Sequence, residues 1–147
     1  MSGLDSIGVR VELPASAVGI GIIAIASEVA SLVDRLASTA EPGAIDVQSL
    51  PMTVADRAQL RELLGTGEVH ATIDADGLST VRETAIAGVW WTEHRNREGE
   101  LLAELIEVCR APEILIVAPD QLAGGSRLLR ARIAALVPPV TNNLPKS

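Results

Sequence analysis

The sequence predicts an α+β fold: an antiparallel meander of about four strands, from Gly67 to Val108, packed against N-terminal and C-terminal helices. Three observations predict it. Apolar residues recur with a helical period near both ends of the chain and with a strand period between them. The strand-like stretches are joined by short polar turns, which suits antiparallel neighbours and needs no crossover helix. Finally, a chain of 147 residues, 48% of them hydrophobic, can bury one core without disulfide or metal support.

Residues 1–13 read as an extended lead-in. A first helix is expected from about Ser16 to Ser38, because Val18, Ile22, Ile25, Val29, Leu32, Val33 and Leu36 fall on one helix face. Its first half, AVGIGIIAIA, is apolar on all sides, and Gly19 and Gly21 weaken it by about 1 kcal/mol each relative to Ala. Such a start implies core burial; left exposed, it would mark an interaction surface. The run ends at Ser27 and Glu28, short of the roughly 20 residues a membrane span needs. It also lacks the basic flank of a signal peptide, since Asp5 and Glu12 precede it with only Arg10 against them. A cytoplasmic protein is the expectation.

Glu41-Pro42-Gly43 breaks the helix, and Ala44 to Val47 reads as a short strand before Leu50-Pro51. Thr53 is placed to cap a second helix, with Asp56 three residues later. Val54, Leu60, Leu63 and Leu64 supply its apolar face, and Gly65 closes it. The period then changes. Glu68 to Ile73 alternates as a half-buried strand does, and Asp74-Ala75-Asp76-Gly77 is a hairpin turn. Leu78 to Ile86 and Val89 to Arg95 are the next strands, separated by Gly88. Asn96-Arg97-Glu98-Gly99 turns the chain into Leu101 to Val108. Pro112 ends the sheet, and Glu113 to Val117 reads as either a short helical turn or an edge strand. Pro119-Asp120 opens a last helix at a position where Pro is tolerated. Leu122, Leu128, Leu129, Ile133 and Leu136 follow, with Gly124-Gly125 as an expected irregularity. Pro138-Pro139 stops this helix, and residues 138–147 are expected to form a mobile tail.

Composition excludes several functions. With two Trp, no Tyr and no Phe, the chain cannot build a base-stacking platform, and its net charge of −7 repels phosphate polymers. Arg127, Arg130 and Arg132 form the densest basic group and read as the solvated face of a helix. Cys109 is the single cysteine, which rules out an internal disulfide and a Cys-rich zinc or iron–sulfur site within one chain.

Few residues carry candidate chemistry. His70 and His94 are the two histidines, and Glu68, Glu83, Glu93 or Glu107 would be the third ligand of a His-carboxylate metal site. No metal motif imposes that arrangement. Arg110 beside Cys109 would lower the thiol pKa, and a nucleophilic role would need a base such as His94; a small buried filler is the plainer account. Gly65-Thr66-Gly67 opens a strand, so it is not a phosphate loop. Trp90 and Trp91 are more informative. Adjacent residues of a strand leave on opposite faces, so one ring enters the core and the other is expected to stand outside, where large aromatics anchor partners. Burial of both rings under the last helix is the competing account.

An ordered set of short motifs carries a resemblance. Ala44-Ile45-Asp46-Val47 leads to Leu50-Pro51, then Leu64-Gly65-Thr66-Gly67-Glu68-Val69. Arg82-Glu83-Thr84, Gly88-Val89-Trp90 and Glu93-His94-Arg95-Asn96 follow, then Ile106-Glu107-Val108 and Pro112-Glu113-Ile114-Leu115. In order and spacing this resembles the C-terminal region of the HupH/HyaF hydrogenase-expression family, over residues 14–137 taken as one domain. The resemblance implies a cytoplasmic accessory protein for uptake nickel–iron hydrogenases, acting on the small subunit before export. It brings no catalytic residues with it. It departs from the family pattern at AVGIGIIAIA, where a leucine- and histidine-bearing helix start is expected.

The function expected is therefore that of a non-enzymatic factor binding a hydrogenase small-subunit precursor or another maturation protein. Trp90, Trp91, His94 and Glu83 are the expected contacts, together with the first helix. The alternative is a metal- or iron–sulfur-handling protein using His70, His94 and strand glutamates, with Cys109 pooled across a dimer. No catalytic residue, resident cofactor or metal site is expected, and neither nucleic acid nor membrane is an expected partner. The open sheet edges and the apolar first helix suggest a homodimer.

Overall fold

A computed structural model describes residues 19–141 and 143–146; the expected lead-in and the first turn of the first helix lie outside them. The chain divides into two compact units, one up to Pro112 and one from Glu113 onward.

The first unit begins with helix α1 (Ile20–Thr39). Ile22 and Val29 are its buried residues, with Ile25, Leu32, Val33 and Leu36 packed beside them, which is the stripe that the 3.6-residue period selects. Ala40 ends the helix in the left-handed region (φ 63°), its N–H donating to the Leu36 carbonyl. The apolar start is not buried all round: Ile20 is 86% exposed and Ile23 55%. A helix lying on a sheet covers one stripe and leaves the rest outside.

Strand β1 (Gly43–Asp46) leads to helix α2 (Val54–Leu64). Thr53 caps α2 reciprocally, as its spacing to Asp56 predicts. Asp56 N donates to Thr53 Oγ1 and Thr53 N to Asp56 Oδ2, both at 3.0 Å. Leu60 and Leu64 are buried, but Val54 and Leu63, expected on the same apolar face, are exposed. The inward face of α2 instead includes Arg57 and Arg61, which pair with the buried Glu104.

Strands β2 (His70–Asp74), β3 (Leu78–Glu83), β4 (Val89–Arg95) and β5 (Leu101–Val108) form the expected antiparallel meander. The sheet has five strands in the order β1-β5-β4-β3-β2. The fifth is β1, which returns to pair with β5 from Gly43 opposite Val108 to Asp46 opposite Leu105. Strand β3 stops at Glu83, short of Ile86, because Thr84 turns the chain: its hydroxyl donates to the Val89 carbonyl (2.8 Å) and accepts from Ile86 N (3.2 Å). One sheet face carries Ile45, Val47, Val89, Trp91, Ile106 and Val108, which form a core with Ile22, Val29, Leu60 and Leu64. Val81, Thr92 and Trp90 are buried on the opposite face.

The second unit opens with a 3₁₀ turn at Glu113–Leu115, so this segment takes the helical of its two expected forms. Helix α3 (Pro119–Leu136) follows, with Pro119 in its first turn and the Gln121 side chain accepting from Ala118 N at 3.1 Å. Gly124-Gly125 do not interrupt it.

In the β2–β3 turn Asp76 has φ 58° and Gly77 φ 131°. A Cβ on Gly77 would lie 2.0 Å from the Arg95 carbonyl oxygen, whereas Gly99, with φ 85°, has open space around it. Gly99→Ala should therefore cost only the backbone term, about 1 kcal/mol. Gly77→Ala adds a clash and should cost about 1–3 kcal/mol more. Denaturant titration of both variants checks the order; equal losses would mean that the close approach to Arg95 is not present.

Candidate functional site

The two indoles do leave β4 on opposite faces, as strand geometry requires. Both are buried, however: Trp90 is 7% exposed and Trp91 4%. The expectation of one outstanding ring is corrected, because each indole N–H finds its acceptor inside the unit. Trp91 Nε1 donates to Glu104 Oε2 at 3.0 Å in the core, and Trp90 Nε1 donates to the Cys109 carbonyl at 3.2 Å. Glu83 faces Trp90 across β3 and β4, and His94 is two places further along the same face at the Ser79 pair. Both are half-buried and engaged: Glu83 Oε2 accepts from Glu68 N (3.1 Å) and Val69 N (3.2 Å), and His94 Nδ1 lies 2.9 Å from Ser79 Oγ. Trp90, His94 and Glu83 thus share one sheet face, with Trp91 on the other.

The strongest polar constellation lies on the Trp91 side, and sequence reasoning passed over it. Glu104 alternates with Ile106 and Val108 along β5, so its carboxylate points into the core, where it is 3% exposed. Arg57 and Arg61, one helical turn apart on α2, reach down to it. Arg61 Nη2 donates to Glu104 Oε2 at 2.9 Å and also bonds Glu93 Oε1, while its guanidinium stacks over the Trp91 ring at 4.6 Å. Arg57 Nη1 is 3.2 Å from Glu104 Oε1. That contact lacks hydrogen-bond geometry and leaves Glu104 Oε1 and Arg57 Nε unsatisfied, so Arg61 is the tighter arm. Glu93 is also paired with Arg95 at 3.3 Å. Burial alone would raise the Glu93 carboxyl, but the hydrogen bonds and charges of Arg61 and then Arg95 outweigh it and hold the group below the usual carboxylate range. The signal available in the sequence was a carboxylate on the core-facing side of β5 together with two arginines spaced i, i+4.

Two concavities adjoin these elements. A recess of about 100 Å³ lies beside Trp91, with Arg61 and Arg82 among its walls. Among the described residues Arg82 has no ion pair. A larger groove of about 240 Å³ separates the start of α1 from the turn entering α2. Ile22, Ile25, Leu50, Pro51 and Met52 line it, and among the described residues Asp56 is its one charged group. Gly19 and Gly21 border it, and a Cβ on either would meet nothing within 4 Å. Bare backbone therefore widens its mouth.

Metal and thiol chemistry fare less well. His70 pairs with Arg82, and Arg82 with Trp91, which puts His70 on the helix-covered side of the sheet. His94 lies on the opposite face with Trp90. The two imidazoles cannot share an ion within one chain, and among the described residues no three His, Cys, Asp or Glu side chains gather. Cys109 is half-buried; burial, and then the charge of Glu107, push its thiol up to about 11. The lowering expected from Arg110 is corrected, and a neutral thiol is a poor nucleophile.

A thiol ionising near 11 when folded and near 9.0 otherwise should react with a disulfide reagent at pH 8 about tenfold more slowly, or slower still, in the native protein than in the unfolded chain. The same shift means that the unfolded state loses its proton first, so stability should fall as pH rises from 9 towards 11. Equal native and unfolded reaction rates would show an accessible, ordinary thiol.

Comparison with known proteins gives consistent matches. Residues 20–136 match the family model described as HupH hydrogenase expression protein, C-terminal conserved region. The chain is 30% identical over 90 residues to the hydrogenase-1 operon protein HyaF of Escherichia coli (strain K12), covering 61% of this chain and 32% of that one. It is 26% identical over 117 residues to the hydrogenase expression/formation protein HupH of Rhizobium leguminosarum bv. viciae, covering 80% and 42%. The chain thus spans less than half the length of these curated relatives. A solved structure, the hydrogenase expression protein HupH from Thiobacillus denitrificans ATCC 25259, superposes with a TM-score of 0.75 at 37% identity. That similarity covers 78% of this chain and 96% of the solved one.

Proposed function

The chain belongs to the HupH hydrogenase expression protein family, through its C-terminal conserved region, and from that premise we propose that it is a non-enzymatic accessory protein of hydrogenase maturation. It binds a hydrogenase small-subunit precursor or another assembly factor. Its relatives are named as a hydrogenase-1 operon protein and as hydrogenase expression or formation proteins, which supports the pathway. The observation that carries the binding role is the start of α1. The helix start turns Ile20 and Ile23 outward and gives Ile22 and Ile25 to the wall of an apolar groove, and exposed apolar surface of this kind marks an interaction site.

The contact moves accordingly from the Trp90, Trp91, His94 and Glu83 set to Ile20, Ile23 and the groove beside them. The former residues each commit a polar atom to a bond within the first unit, and in this reading they serve as its framework. The groove's lining suits an apolar stretch of a polypeptide chain. The metal-handling alternative loses its single-chain form, since His70 and His94 lie on opposite faces. No cofactor enters this reading.

Capture of a hydrogenase small-subunit precursor tests it, with wild type beside Ile20→Asp, Ile23→Asp and Trp90→Ala. A charge placed at the centre of an apolar contact should weaken capture about tenfold or more, while circular dichroism stays native because both isoleucines are exposed. Wild-type capture by the folded isoleucine variants would place the contact elsewhere. A wild-type chain that captures no precursor and no other maturation protein would contradict the role itself.

A further inference from the structure

Strand β2 is one edge of the sheet, and among the described residues no strand pairs with its outer side. The register identifies which backbone groups are free. Glu83 N donates to the Val69 carbonyl (2.8 Å) and Ala75 N to the Gly77 carbonyl (3.1 Å). Val69, and by alternation Ala71 and Ile73, therefore direct their amides towards β3. His70, Thr72 and Asp74 direct theirs outward, and all three are exposed.

Natural sheet edges are blunted by shortness, by Pro, by charged side chains and Lys above all, or by a bulge; β2 carries one carboxylate, Asp74, at its last position. The other edge is protected in this way. Strand β1 has four residues, Pro42 precedes it, and Asp46 ends it by accepting from Gln48 N and Ser49 N. Strand β2 contains neither Pro nor Lys, and it pairs with β3 without a register break.

We propose that β2 pairs with β2 of a second copy of this chain, antiparallel about a two-fold axis at Thr72, joining two five-stranded sheets into one. In that register every outward-directed residue meets another. His70 lies opposite Asp74 of the partner subunit, Thr72 opposite Thr72 of the partner subunit, and Asp74 opposite His70 of the partner subunit. Imidazole–carboxylate and Thr–Thr combinations are favourable cross-strand neighbours. On the other face Ala71 comes opposite Ile73 of the partner subunit, covering half-buried apolar side chains. A shift of two residues either way loses one of the three pairs and sets a charged or imidazole end group against Thr72. An extended peptide from another protein would find the same amides. The symmetry of residues 70–74, with complementary ends about a central Thr, is what favours self-pairing.

Sedimentation velocity on the full chain, from low to high micromolar concentration, tests the pairing. Wild type should dimerise reversibly. Thr72→Lys sets like charges against each other on the axis and should stay monomeric where wild type is dimeric. His70→Asp should weaken the dimer about tenfold, because the axis repeats each pair. The exchange His70→Asp with Asp74→His should restore it, a recovery that a contact elsewhere would not give. Circular dichroism checks each variant's fold, and wild type alone is already decisive: a monomer at every concentration overturns the proposal. So does a dimer indifferent to Thr72→Lys, or an exchange that restores nothing.

Discussion

The structure depends on a carboxylate buried where an aliphatic side chain would ordinarily be. Glu104 points from β5 into the core at 3% exposure, and removing such a charge from water costs several kcal/mol unless its oxygens are met. Arg61 from α2 and the Trp91 indole N–H from β4 both donate to Oε2, while Arg57 brings its charge to 3.2 Å from Oε1 without a hydrogen bond. The cost of burial thereby becomes a constraint on position. If α2 slid or rotated by a residue, the arginines would leave Glu104 unpaired, a change worth about 3–5 kcal/mol.

That constraint propagates to the surface proposed to bind. Leu50, Pro51 and Met52 run directly into the Thr53 cap of α2, so the seating of α2 over β4 and β5 sets where this turn lies. The same turn faces Ile22 and Ile25 of α1 across the groove. Arg61 reinforces the arrangement by bridging to Glu93, which Arg95 holds from the other side. The Trp pair contributes as framework: Trp91 lies beneath Arg61, and Trp90 ties the opposite face to the end of β5 through the Cys109 carbonyl. The surface proposed to bind is thus apolar and open, while the charged cluster that positions it is paired within the chain through Arg61, Glu93 and Glu104.

Much of this was legible in the residues. The capping pair Thr53 and Asp56, the stripe from Ile22 to Leu36, and the strands Val89–Arg95 and Leu101–Val108 all follow from local periodicity and turn chemistry. The opposite facing of Trp90 and Trp91 followed from strand geometry, but facing is not exposure. Alternation reveals which way a side chain leaves, and only the folded chain reveals what covers it. The placement of β1 beside β5 was not legible either, because pairing between residues some sixty positions apart has no local signature. Glu104 was missed for a related reason. A lone acidic residue in an alternating strand reads as solvated until Arg57 and Arg61 are brought over it by a helix far away in sequence. Val54 and Leu63 were expected inward and lie outward for the same cause, since the arginines take part of the face of α2 that apolar residues alone were expected to fill.

A double-mutant cycle between Arg61 and Glu104 tests the dependence on this cluster most directly. The stabilities of Arg61→Met, Glu104→Gln and the double variant would be measured by denaturant unfolding against wild type. If the buried carboxylate anchors α2 through Arg61, the sum of the two single losses will exceed the loss of the double variant by about 1 kcal/mol or more, because the second change removes a partner already lost. Losses that add within about 0.5 kcal/mol would mean that the two groups act independently, and that α2 is held on the sheet by its leucines alone.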